Sequence, residues 1–245
     1  MESLKPSNGI ILCATMRCGS TMVCEDFWNA KALGHPEEYF IPWMNSRDHQ
    51  WSRSFSSIVK RGTGENGRFA IKVMANQLKH INHGLLQIDE FSELGPDPFL
   101  KVFEDCHFVH LRRRNIVKQA VSRYVSQQTR INHLKDGEAG FTPGRVTHDP
   151  EALKKDVAFD AEKIYEHATN IAIENRMWHN KFSAAGIDPL TFWYEDVVKD
   201  RTTAYLNQIC DHFGLENVPD VSQLRTLRRM ANHVNASLVE RFVEQ

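Results

Sequence analysis

Residues Ile10-Ile11-Leu12-Cys13-Ala14-Thr15-Met16-Arg17-Cys18-Gly19-Ser20-Thr21 constrain the fold more than any other stretch of the chain. An apolar run of strand length stops at a small residue. A tight turn with Arg17 and Gly19 follows, and Ser20 and Thr21 open a helix. Such a handover points several backbone N–H groups and the positive end of a helix at one spot, which suits an anion.

The stretch departs from the phosphate-cradling pattern Gly-x4-Gly-Lys-Ser/Thr. Ala14 stands in the place of the first glycine and Ser20 in the place of the lysine. A positive charge does occur, at Arg17, two residues before Gly19. The loop reads as built for an anionic group and not for a standard magnesium–ATP complex. Without a ligand, the same residues make a plain strand–turn–helix with a surface arginine.

Downstream, strands and helices alternate. Helices are expected over Ser20 to about Ala32, a short one near Ser54 to Lys60, Ile116 to Thr129, Phe159 to Ala185 and Thr202 to Phe213. The longest, Phe159 to Ala185, carries Ile164, Ala168, Ile171, Trp178 and Phe182 on one stripe, which reads as core packing. Asn76 to Glu93 is weakly helical, and the tail from Leu224 looks helical in parts. Strands are expected at Phe69–Met74, His107–Leu111 and Leu190–Tyr194. Residues 132–156 show no period and read as a lid, a binding loop or a partly disordered segment. Alternation of this kind implies an α/β fold: a P-loop-like parallel sheet with helices on both faces. No linker or repeat interrupts it, so residues 1–245 are expected to form one domain.

Bulk properties exclude several classes. With 30 basic and 31 acidic residues the formal net charge is −1, so nothing global argues for nucleic acid. No apolar run approaches a membrane span, and the start shows no apolar signal region, so a cytoplasmic location is the expectation. The five cysteines form no disulfide framework. The spacings of Cys13, Cys18 and Cys24 do not suit paired metal ligands. Cys18 sits at a helix start, where a thiol pKa can fall.

The third strand runs straight into Arg112-Arg113-Arg114. A magnesium-using phosphate-loop enzyme normally ends the comparable strand in aspartate. Ligands of open parallel sheets bind at the carboxyl ends of the strands. Arg17 and the three arginines are therefore expected to supply two cationic spots around one crevice, suited to a ligand with two separated anionic groups and no metal. Ser122, nine residues after Arg113, can serve the same anion. A solvated surface run is the plain alternative for the arginines.

Four ordered stretches carry a resemblance: Ala14–Thr21, Pro36-Glu37-Glu38-Tyr39-Phe40, Lys72-Val73-Met74-Ala75-Asn76-Gln77, and Arg113 through Ser122. Gln128-Thr129, Tyr194-Glu195-Asp196, Phe213-Gly214-Leu215 and Val239–Phe242 continue it. Together they resemble the bacterial carbohydrate sulfotransferases typified by trehalose 2-sulfotransferase, which use 3′-phosphoadenosine 5′-phosphosulfate (PAPS). Departures are Cys18 for a usual serine, Ala75 for a tryptophan, Asn115 for an aspartate, and His35 where an acidic sugar contact is usual.

The resemblance implies roles. Arg17, Cys18, Gly19, Ser20 and Thr21 would bind the 5′-phosphosulfate, and Arg113 and Ser122 the 3′-phosphate. Glu38 matches the family's general base, with His35 as the alternative base. Arg17 and Lys72 would stabilise the departing phosphate, although Lys72 reads equally as a structural ion-pair partner. The acceptor would be a carbohydrate or glycolipid, and no metal is expected. Relatives often pair as dimers, so a homodimer is a further expectation that no stripe in the sequence settles. A small-molecule kinase on the same scaffold and a noncatalytic nucleotide- or polyanion-binding module are the competing readings.

Overall fold

The computed structural model describes residues 4–45, 50–154, 157–199, 201–230 and 232–244. The chain runs β1 (Ile10–Ala14), α1 (Ser20–Ala30), α2 (Ile41–Asn45), α3 (Trp51–Gly62), β2 (Ala70–Met74), α4 (Leu78–Leu85), α5 (Phe99–Val102), β3 (His107–Arg112), α6 (Ile116–Thr129), β4 (His133–Lys135), β5 (Val146–Thr147), α7 (Ala161–Ala185), β6 (Leu190–Trp193), α8 (Tyr194–Val197), α9 (Ala204–Phe213), β7 (Leu227–Arg228) and α10 (His233–Val243).

Four strands form a parallel sheet in the order β2-β1-β3-β6. Strand β1 lies between two neighbours, and all five of its residues are buried, which is why its sequence is apolar without alternation. Successive side chains still face opposite ways. Ile11 and Cys13 enter one core, with Phe55 of α3, Phe99 of α5 and Trp178 and Phe182 of α7. Ile10, Leu12 and Ala14 enter the other, with Phe27 of α1 and Leu206 and Ile209 of α9. The sheet is thus covered on both faces, as its alternating pattern requires.

Caps fix the helices that carry the site. The Asn115 side chain accepts from Lys118 N at the start of α6, and Asp160 accepts from Lys163 N at the start of α7. Gly186, at φ 65°, ends α7 in the left-handed conformation that glycine adopts without strain.

Three expectations are corrected. The stretch 132–156 is not structureless: β4 pairs in parallel with β5 and antiparallel with β7 in a second, three-stranded sheet. Strands of two or three residues are too short to show a period. The tail likewise holds β7 besides α10. The helix expected near Ser54–Lys60 is longer, Trp51–Gly62. Of the polar stretch before it, residues 46–49 lie outside the described residues, as do 155 and 156 of the long loop.

Candidate functional site

The turn after β1 is held from outside. Trp178 Nε1 donates to Ala14 O at 2.9 Å. Gln119 Nε2 donates to Thr15 Oγ1 at 2.9 Å and to Met16 O at 2.7 Å. Arg17 adopts φ 66° and Gly19 φ 92°. Such angles are costly for a side-chain-bearing residue and free for glycine. At Gly19 space excludes a side chain as well, since a Cβ would stand 2.3 Å from the Tyr194 ring. The turn delivers the chain into α1, whose first N–H groups have no carbonyl one turn earlier to bond.

Cys18 is fully buried in this turn. Burial pushes its thiol pKa up, against the pull of the backbone N–H groups of Thr15 and Ser20. The lowered thiol pKa that a helix start suggests is not what the structure gives, because desolvation outweighs the helix end.

Lys72, on β2 beside β1, is 4% exposed. Its ammonium donates to Thr21 Oγ1 at 3.2 Å and pairs with Glu38 Oε1 at 3.0 Å. Burial lowers its pKa, but the Glu38 carboxylate more than restores it, leaving Lys72 above its usual value and charged. Gln77 Nε2 donates to Glu38 Oε2 at 3.0 Å, while Gln77 Oε1 accepts from Met74 N. Lys72 N also donates to Glu37 O at 3.1 Å. Glu38 therefore stands at the end of β2, fixed on both oxygens and tied through Lys72 to the first turn of α1.

His35 is placed differently. Its ring stacks on Trp28 at 4.0 Å and 8°, and its N–H donates to Gly62 O. Burial lowers its pKa against the pull of Glu65. Among the described residues it makes no hydrogen bond to Glu38 or Lys72.

Arg17 turns away from Lys72 and bonds three groups. Its Nε donates to Ser122 Oγ at 3.1 Å, Nη1 to Asn132 O at 2.6 Å, and Nη2 to Met230 Sδ at 3.4 Å. Burial and the charge of Arg113 bring its pKa down to about 10, so it stays cationic. Arg113 Nη1 donates to Arg17 O at 3.2 Å, its guanidinium lies 4.9 Å over the Tyr194 ring, and its buried Nε has no partner among the described residues.

Of the three arginines at the end of β3, Arg113 bonds the turn. Arg112 and Arg114 lie over Trp193 at 4.7 and 5.1 Å, and Arg114 forms a two-pronged pair with Asp196. The two cationic spots expected around the crevice are therefore one joined seam, because Arg17 reaches Ser122 directly.

Sequence reasoning gave no role to Gln119, Gln77, His133 or Met230. Gln77 and Gln119 lie inside stretches that carried the resemblance, which was their one signal. His133 opens β4, where burial, Arg17 and Lys72 together bring its pKa down to about 3.

Residues 9–245 match the sequence profile of the Stf0 sulphotransferase family. The trehalose 2-sulfotransferase of Mycobacterium tuberculosis is 22% identical over 269 residues, which take in 95% of this chain and 93% of that protein. The solved sulfotransferase domain of the Synechococcus PCC 7002 olefin synthase overlaps 98% of this chain and 97% of its own at 15% identity. Its TM-score of 0.41 is too low to bear on the site. By the profile match over nearly its whole length, the chain belongs to the Stf0 sulphotransferase family and is a sulfotransferase.

Proposed function

We propose that this sulfotransferase moves a sulfuryl group from PAPS to a hydroxyl of a carbohydrate or glycolipid acceptor, with Glu38 as general base. One observation carries the reading. Lys72 joins Glu38 to Thr21, so a carboxylate able to take a proton stands beside the anion-binding turn. The Mycobacterium tuberculosis relative, named for a sugar acceptor, supports a carbohydrate here.

In this reading the 5′-phosphosulfate lies against the N–H groups at the start of α1 and beside Lys72. The 3′-phosphate meets Arg113, whose unpartnered Nε offers a donor, and Ser122, with Arg17 between the two ends. The acceptor oxygen attacks sulfur in line. Its new bond to sulfur forms as the bond from sulfur to the 5′-phosphate oxygen breaks. The electron pair of the broken bond stays on adenosine 3′,5′-bisphosphate. Glu38 takes the hydroxyl proton, which a weakly acidic sugar alcohol does not lose unaided. Lys72 and the turn amides face the charge that grows on the leaving phosphate, a preorganised arrangement that favours the transition state over the ground state. Buried Lys72 keeps its charge for this purpose. His35, stacked on Trp28, is the weaker candidate for the base.

Calorimetric titration tests the donor. Adenosine 3′,5′-bisphosphate should bind without added metal and more tightly than ATP with magnesium. Good ATP–magnesium binding with no bisphosphate binding would overturn the proposal in favour of a kinase.

A further inference from the structure

Beside Tyr39 lies a cleft of about 250 Å³, between the segment after Glu38 and helix α3. Its shape follows from how α3 is anchored. Phe55 and Ile58 are buried in the core. The helix therefore presents Arg53, Ser57 and Arg61, at four-residue spacing, along the cleft wall. The eight-residue separation places the two arginine backbones about 12 Å apart along the axis, within joint reach of one small ligand.

Arg61 lies over the Tyr39 ring at 4.5 Å, and Arg53 donates to Gln50 Oε1 at 3.5 Å. Among the described residues neither arginine belongs to an ion pair. The wall opposite them is fixed, because the Tyr39 hydroxyl donates to His35 O at 2.7 Å. Arginine offers its donors in a planar fork that matches carboxylate, phosphate and sulfate oxygens.

The cleft also adjoins the transfer site. Tyr39 directly follows Glu38, so one peptide unit, about 3.8 Å from Cα to Cα, joins the residue of the base to a residue of the cleft wall. Glu37, on the other side of Glu38 in the chain, has its pKa pushed up by burial against the charges of Arg61 and Lys72.

We propose that the cleft receives an anionic substituent of the acceptor sugar, held by Arg53 and Arg61 while the hydroxyl to be sulfated reaches Glu38. The acceptor class is thus an acidic carbohydrate, carrying a carboxylate or a phosphate or sulfate ester. The assignment rests on the transferase reading above, and goes beyond it by making the acceptor charged.

The test is a calorimetric titration of the full chain saturated with adenosine 3′,5′-bisphosphate, using two matched pairs: cellobiose against cellobiouronate, and trehalose against trehalose 6-phosphate. Wild type should bind at least one acid tenfold or more tightly than its neutral parent, and which acid wins tells carboxylate from ester recognition. In the R53Q/R61Q variant the preference should shrink to within twofold while the bisphosphate Kd stays unchanged; both side chains are exposed, so the fold does not depend on them. Equal binding within both pairs, no binding of either acid, or a preference that survives in the variant would overturn the proposal. So would inorganic phosphate binding as tightly as the sugar acids, which would mark a plain anion hold. Failure of wild type to bind the bisphosphate would strike the donor reading instead, and the sugar pairs would then be compared without it.

Discussion

Arg17 Nε donates to Ser122 Oγ at 3.1 Å, across 105 residues of chain. The bond occupies a lone pair of the hydroxyl and leaves its proton free. Ser122 is thereby oriented by a half-buried cation, and the turn after β1 is coupled to helix α6.

Ser122→Ala should therefore weaken adenosine 3′,5′-bisphosphate by about tenfold, the scale of one lost hydrogen bond to a charged group. Adenosine 5′-phosphate, which lacks the 3′ group, should keep its affinity within twofold. Parallel calorimetric titrations check this. An equal loss for both ligands would mean that Ser122 supports the turn and does not meet the 3′-phosphate.

Gly19→Ala should both strain and crowd the turn. Its φ of 92° is costly for alanine, and the new methyl would meet the Tyr194 ring. The backbone cost alone is about 1–2 kcal/mol. Thermal melts should show lower stability, and bisphosphate affinity should fall. The double variant with Tyr194→Ala should recover only part of the loss, since it removes the crowding and leaves the angle.

The carboxyl-terminal segment is strapped across α1 by buried charge. Arg225 donates through Nε and Nη2 to both oxygens of fully buried Asp26, at 2.7 Å each, and Tyr205 adds a 2.6 Å bond. Glu25 meanwhile accepts from Thr226 and Leu227. This strap carries Met230 to Arg17. Arg225→Met leaves Asp26 buried without its cation and should cost about 3–5 kcal/mol in urea unfolding. Adding Asp26→Asn should return much of that loss.

Much of this architecture was legible because long elements announce themselves. The apolar run of β1, the stripe of α7 and the arginines at the end of β3 each follow from burial or from a strand end. The small sheet of β4, β5 and β7 was not legible, since its strands pair residues far apart and hold too few positions for a pattern. That sheet is what brings His133 and Asn132 to the site. Within the site, residue types pointed to an anion. The direction of the Arg17 side chain depends on Asn132 and Met230, which no local motif foretells.

Acid should destabilise the protein through two histidines. Burial, aided by Arg112 and His179, brings His110 down to about 3, and His133 is brought equally low. In the unfolded chain both take a proton near pH 6.5. Their contribution is full above that pH and is lost as pH falls toward about 3, since only the unfolded state binds protons in between. For His110, which is 4% exposed, the steepest slope is about 1.4 kcal/mol per pH unit. Urea midpoints between pH 7.5 and 5 should fall with acid, and His110→Phe should flatten the fall.

The central claim is that Glu38 takes the acceptor proton while the turn and Lys72 hold the donor. Transfer of labelled sulfuryl from PAPS to an accepted sugar, measured for wild type and Glu38→Gln together with the bisphosphate Kd, tests it directly. The predicted result is a loss of turnover on the order of 10²–10⁴ with donor affinity kept within threefold. Turnover that survives the substitution would contradict it and place the base elsewhere.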